Sequence, residues 1–103
     1  MTIKPLFFVI VFMFSATAVY AADVEAGKQA YLAKGCVGCH GVEGKSLNEA
    51  VFPSLLGQNA AYIKEQLQAF RAGTRSNPLM SPMAVSLTDA DIDNLSVYLE
   101  TLK

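Results

Sequence analysis

The sequence holds two cysteines, one histidine and no more of either. No second Cys pair and no second His is available to complete a zinc site around them. No strand–helix–strand pattern surrounds the cysteines, so the setting a thiol–disulfide oxidoreductase needs is missing. Basic residues do not exceed acidic ones. Eight Lys and Arg stand against nine Asp and Glu, a formal net charge of −1, and there is no basic stripe for nucleic acid. Internal repeats, low-complexity tracts and convincing strand patterns are also absent. Long apolar runs are scarce: 52% of the residues are apolar, yet the one uninterrupted run lies near the start.

That run is Leu6 to Phe14. Lys4 precedes it, and the small residues Ser15, Ala16, Thr17 and Ala18 follow. A positive start, a short apolar core and a small-residue junction describe a secretory leader over residues 1–21, cleaved after Ala21 or Ala22. The run is too short to span a bilayer comfortably as a retained anchor. Residues 22–103 are then the mature domain, with no membrane span and seven basic against nine acidic residues. At 103 residues the chain has room for one domain. A domain this short builds a thin core unaided and gains from a large apolar cofactor.

Cys36-Val37-Gly38-Cys39-His40 is the motif the remaining chain serves. Two cysteines three positions apart, with histidine directly after the second, form the attachment signature of c-type haem. Each sulfur can bond one vinyl-derived carbon at the haem edge, and His40 is then held where a ring nitrogen meets the iron. The competing readings are a redox dithiol, a structural disulfide, or half of a zinc site. Gly41 and Gly44 follow at once, not the long helix a dithiol enzyme would place there.

Along the mature chain the patterns are helical. Asp23 caps a first helix from Val24 to about Lys34, with Gly27 and Tyr31 on one face. Glycine inside a helix costs about 1 kcal/mol against alanine, so close approach of another helix is the expected compensation. Residues 41–56 read as loop, with Val51, Phe52, Leu55 and Leu56 as pocket-lining residues. A second helix covers Asn59 to Ala72, with Tyr62, Ile63, Gln66, Leu67 and Phe70 at helical spacing and Lys64, Glu65, Gln68 and Arg71 on the wet side. Residues 73–87 read as irregular loop, because Pro78 and Pro82 forbid a continuous helix. The last helix runs from Asp89 to Leu102. Thr88 and Asp91 cap it, and Ile92, Leu95, Val97, Tyr98, Leu99 and Leu102 form its stripe.

With the haem motif, the stretch Phe52-Pro53-Ser54-Leu55-Leu56-Gly57-Gln58, residues 62–73 and 77–87, and Ser86-Leu87-Thr88-Asp89-Ala90-Asp91-Ile92 followed by Tyr98-Leu99, the mature chain resembles a class I c-type cytochrome. It is most similar to single haem domains of the cytochrome c4/c5 group and to bacterial cytochromes c553. The resemblance implies an all-α cytochrome c fold, with three main helices and loops around one haem c attached through two thioethers. It implies that the outer helices cross closely, Gly27 and Tyr31 meeting Leu95 and Tyr98. It also implies that the Pro53 carbonyl accepts the ring proton of His40. Met80 and Met83 are the methionines left after the leader, and the family's pattern makes the first of such a pair the sixth iron ligand. Met80 is therefore the expected ligand and Met83 a pocket wall, the reverse assignment remaining the alternative. Arg75 and Asn77 match polar positions of the ligand loop, where they hold a haem propionate, brace the loop or face solvent. Tyr62 is expected to pack in the core.

The cofactor-binding set is thus Cys36, Cys39, His40 and Met80, with His40 and Met80 on the metal and no catalytic residue. The implied function is that of a periplasmic monohaem electron carrier. Its redox protein partners would be a membrane cytochrome complex or periplasmic dehydrogenase as donor, and an oxidase or reductase as acceptor. It would work as a monomer or homodimer. Two alternatives compete with a free carrier. One is a dedicated cytochrome subunit of a single periplasmic redox enzyme. The other is a gas sensor or enzyme with a displaceable sixth ligand.

Overall fold

The computed structural model describes residues 2–11 and 21–103. Residues 2–11 take no regular secondary structure and are exposed. The expected leader falls partly outside the described residues, since 12–20 include the end of its apolar run and the small residues before the junction. No helix among the described residues is long and apolar enough to cross a membrane.

The order of elements is α1 (Val24–Ala33), α2 (Cys36–His40), a 3₁₀ turn (Val42–Gly44), α3 (Ala60–Ala72), α4 (Met80–Val85) and α5 (Asp89–Glu100). The described residues contain no strand. The three long helices lie where the periodicity places them, within two residues at each end. The caps explain the starts. Asp23 Oδ1 accepts from the Glu25 and Ala26 amides at 2.9 and 3.4 Å. Asn59 Oδ1 accepts from Tyr62 N at 2.7 Å. Thr88 and Asp91 exchange side-chain bonds with each other's amides, both at 3.0 Å, and form the anticipated capping box.

Helices α1 and α5 cross with almost no side chain between them. A Cβ built on Gly27 would stand 2.0 Å from Asn94 O and 2.7 Å from Tyr98 Cβ. Asp23 N also donates to Asn94 Oδ1 at 2.9 Å, fixing the start of α1 to the same turn of α5. The nearest neighbours of Gly27 are therefore the Asn94 backbone and Tyr98, while Tyr31 shares the buried cluster with Leu95 and Tyr98. Beside this crossing Tyr31 and Tyr98 pack with ring centroids 5.6 Å apart and planes tilted by 57°. Around them lie Ile63, Leu87, Ile92, Leu95 and Leu99, all buried. This core occupies the α1–α3–α5 side of the molecule.

Two readings of α3 change. Ile63 and Phe70 point inward, but Tyr62, one position round the helix from Ile63, is 46% exposed and no core residue. Arg71 is not left in water. Its Nη1 donates to Leu87 O at 3.3 Å and its Nη2 pairs with Asp89 at 2.6 Å. The acidic first turn of α5 attracts bases from neighbouring elements. Lys64 reaches Asp93 at 2.8 Å, and Lys34 lies 3.8 Å from Asp91. These exposed pairs set orientation more than stability, at about 0–1 kcal/mol each.

The second proline loop also differs from expectation. Residues 80–85 form a short helix. Pro82 is its third residue, inside the first turn, where no amide needs an intrahelical partner. The two prolines limit the helix without preventing it.

Tyr31 supplies a pH-dependent signature of the core. It is 1% exposed, and its hydroxyl donates to Gly41 O. Burial pushes its pKa up to about 12 from the usual 10. The folded state then holds this proton more tightly than the unfolded chain does. The contribution is fully present below about pH 10, falls as pH rises from there, and is lost above about 12. Denaturant midpoints measured across that window should decline in the native protein and decline less in Tyr31→Phe. Equal slopes would show that Tyr31 is not the group responsible.

Candidate haem-binding site

Helix α2 presents the motif. It enters through Gly35 and leaves through Gly41, both with positive φ, at 81° and 82°. At Gly41 the requirement is strict, because a Cβ would lie 1.9 Å from Lys45 O. The chain therefore reverses immediately after His40. Cys36 and Val37 pack against the core, His40 is buried, and Cys39 is exposed. The motif is pinned on its inner side and open along the side that carries Cys39.

His40 is oriented by a carbonyl. Its Nδ1 lies 2.8 Å from Pro53 O. A carbonyl oxygen only accepts, so the ring proton sits on Nδ1 and Nε2 keeps its lone pair for a metal. Pro53 is held in place by the residues after it. Ser54 Oγ and Leu55 N both donate to Gly44 O, at 3.2 and 3.0 Å, anchoring the segment on the turn that follows α2. The anticipated role of Pro53 as acceptor matches this geometry.

Met80 opens α4 and is half-buried. Met83 is 39% exposed, and its Cε comes within 3.7 Å of where a Cβ on Gly35 would lie. Thus α4 meets the entrance of α2 through Met83, one residue from Cys36. Of Arg75 and Asn77, whose roles the sequence leaves open, Arg75 is held against α3 and Asn77 caps the approach to α4. Arg75 Nη1 donates to Gln66 Oε1 at 2.6 Å, and its guanidinium lies 4.5 Å above the Phe70 ring. Asn77 Oδ1 accepts from the amides of Leu79 and Met80, at 2.9 and 3.1 Å.

The competing chemistries fit less well. Burial pushes the Cys36 thiol up. A reactive dithiol needs the reverse, a depressed pKa that yields thiolate. Among the described residues no three His, Cys, Asp or Glu side chains converge as a metal cluster. The donor set does fit a haem: two cysteines on one short helix, a histidine with a directed imidazole, and a soft thioether from α4. Val42, Leu47, Val51, Leu79 and Met83 lie outside the helical core and are exposed, Leu47 fully. They belong to the segments after α2 and around α4, where a flat apolar cofactor would find contacts.

Comparison with known proteins points to one family. The family model for cytochrome c matches residues 24–103. The chain is 41% identical over 70 residues to a protein of Stutzerimonas stutzeri (strain A1501) named thiosulfate dehydrogenase electron acceptor, covering 68% of this chain and 32% of that one. It is 39% identical over 90 residues to cytochrome c-553 of Helicobacter pylori (strain J99), covering 85% and 86%. The crystal structure of reduced cytochrome c4 from Pseudomonas stutzeri superposes with a TM-score of 0.66 at 38% identity, covering 80% of this chain and 50% of that one. The chain thus spans about a third of the first relative and half of the c4 chain, but most of c-553.

Proposed function

Because this chain belongs to the cytochrome c family, we propose that it carries single electrons between redox enzymes of the bacterial periplasm. Membership makes it an electron-transfer protein with covalently bound haem c, similar to the c-553 and c4 proteins. Export by a cleaved leader over residues 1–21, with the domain at 22–103, is part of the same reading.

The residue roles follow from the site. Cys36 and Cys39 tether the cofactor. His40 supplies Nε2 to the iron, and Pro53 O keeps the imidazole in one orientation and tautomer. Met80 supplies the opposite ligand, and Met83 serves as a wall beside Gly35. Bound there, haem iron supplies a one-electron couple, and a thioether ligand raises its potential. If His40 and Met80 both hold the iron, no open position would be left for oxygen or peroxide, which favours a carrier over an enzyme or gas sensor. The exposed Cys39 marks the side on which a redox partner approaches. The single observation that carries the proposal is the His40–Pro53 contact, since it directs the imidazole as a metal ligand and has no use in a dithiol or disulfide.

The test is a visible spectrum of the purified exported protein with its intact mass, which reads leader removal and haem gain together. The oxidised protein should show the weak far-red band that marks a thioether on ferric iron. Met80→Ala should abolish it and Met83→Ala should keep it. The opposite pattern would exchange the two methionines. A high-spin wild type that binds carbon monoxide readily would sink the carrier reading.

A second reading, a cytochrome dedicated to one dehydrogenase, is favoured by the likeness to the thiosulfate dehydrogenase electron acceptor. Fast reduction by one periplasmic dehydrogenase, with slow exchange to all other partners, would select it.

A further inference from the structure

The chain segment that presents Met80 is entered through a closed ring of hydrogen bonds. Asn77 Oδ1 accepts from Leu79 N at 2.9 Å and from Met80 N at 3.1 Å. Asn77 O accepts from Ser81 N at 3.0 Å. Ser81 Oγ accepts from Asn77 N, again at 3.0 Å. Asn77 and Ser81 thereby use both backbone groups of Asn77 and bracket Met80 between them. Pro78 fixes φ at the first position after this cap, where proline is favoured.

The arrangement is more specific than a generic helix start. Helix α4 begins only at Met80, and Leu79 before it offers no side-chain cap. Pro82 has no amide to donate, so the bonds that close the start of α4 come from Asn77 and Ser81. Without the ring, Met80 would stand at the frayed end of a six-residue helix with nothing fixing its backbone. The ring acts on Met80 itself, because the Met80 amide is one of its members. The side chain that stems from this backbone has three rotatable bonds and depends on a fixed Cα for its aim.

We propose that Asn77 is a positioning residue that holds the Met80 thioether on the iron, with Ser81 as its counterpart. The proposal rests on the assignment of Met80 as sixth ligand. On this proposal the ring holds while Met80 ligates, and moving Met80 aside for another ligand disrupts it. An equilibrium between the two arrangements is then biased by the cap, and any outside ligand that needs Met80 displaced competes against it.

The probe is imidazole added to the ferric holoprotein, read in every variant by the shift of the main haem absorption band, and in variants that keep Met80 also by loss of the far-red band. Asn77→Ala should bind imidazole about fivefold more tightly than wild type, the factor expected from loss of one helix cap. Asn77→Asp keeps an accepting oxygen and should restore most of the wild-type affinity. Ser81→Ala should shift affinity in the same direction as Asn77→Ala by a smaller factor. Amide exchange at Leu79 and Met80 should accelerate in Asn77→Ala, with exchange in α1 and α5 unchanged. In a Met80→Ala background the Asn77→Ala change should have no further effect on imidazole affinity, because no ligand remains to be held.

Unchanged imidazole affinity in Asn77→Ala, with a lowered melting temperature, would make Asn77 a structural cap and overturn the proposal. A shift of equal size in the Met80→Ala background would overturn it too. Failure of the ligand assignment looks different. The far-red band would then survive Met80→Ala itself, before Asn77 is changed at all.

Discussion

Gly27→Ala should unfold this protein roughly 8–16 °C below the wild type, if each kcal/mol lowers the melting temperature of a small domain by roughly 4–8 °C. On an isolated helix the same change would help by about 1 kcal/mol. Here the new methyl would be 2.0 Å from Asn94 O and 2.7 Å from Tyr98 Cβ. Neither atom can rotate away: one is helix backbone and the other is the first side-chain carbon on it. Helices α1 and α5 must separate or slide instead. Separation loosens the Tyr31–Tyr98 contact and lengthens the Asp23–Asn94 bond, both made at the same crossing. Overpacking a tight interface costs about 1–3 kcal/mol, occasionally more. The propensity gain of about 1 kcal/mol offsets only part of it, and because neither contact can relax a net loss near the upper end, about 2 kcal/mol, is expected. Gln29→Ala, on the exposed face of the same helix, is the control, and should stay within about 0.5 kcal/mol of wild type. Thermal unfolding followed by far-ultraviolet circular dichroism decides the matter. Equal midpoints for the two variants would mean that the crossing is loose enough to absorb a methyl group.

That prediction starts from a conflict visible in the sequence: a glycine where propensity disfavours one, four residues before a tyrosine. The conflict is legible because a helix with a locally poor residue implies contact elsewhere. The CxxCH motif is legible for a similar reason, since its spacing is dictated by the covalent reach of two sulfurs. The Thr88–Asp91 box is local and can be read from four residues. The missed features are the ones whose outcome depends on partners distant in sequence. Helix α4 was hidden because proline is read as a breaker, while its effect depends on where the first turn falls. Asn77 decides that, through bonds that no periodicity records. Arg71 looked solvent-facing because its helix position is on the wet side. Leu87 O and Asp89 come from a segment sixteen or more residues away. Tyr62 reads as inward because apolar spacing alone cannot separate the centre of a stripe from its edge.

The largest effect is expected from removing both thioether links. In Cys36→Ala/Cys39→Ala the exported chain should fail to hold haem covalently, and after removal of free haem it should lose most of its helical signal and its cooperative melting. The reason is the one-sidedness of the protein's own core. Tyr31, Ile63, Leu87, Ile92, Leu95, Tyr98 and Leu99 pack together on the α1–α3–α5 side. On the motif side, Val42, Leu47, Val51, Leu79 and Met83 find no place in that core. A domain of roughly 60 residues buries only about 60% of its unfolded surface, and a slightly longer one is still marginal without added contacts. A cofactor that binds only the folded chain adds its binding free energy to stability, and a covalent link prevents its loss by dilution. The single variants should divide unequally. Cys36 is half-buried against the core, so Cys36→Ala loses a tether and leaves a void. Cys39 is exposed, so Cys39→Ala loses the tether alone and should melt higher than Cys36→Ala. Melting curves of the three variants beside wild type test both statements. A double variant that melts cooperatively with undiminished helix content would show that the helical core suffices, and that haem contributes redox chemistry but little of the fold.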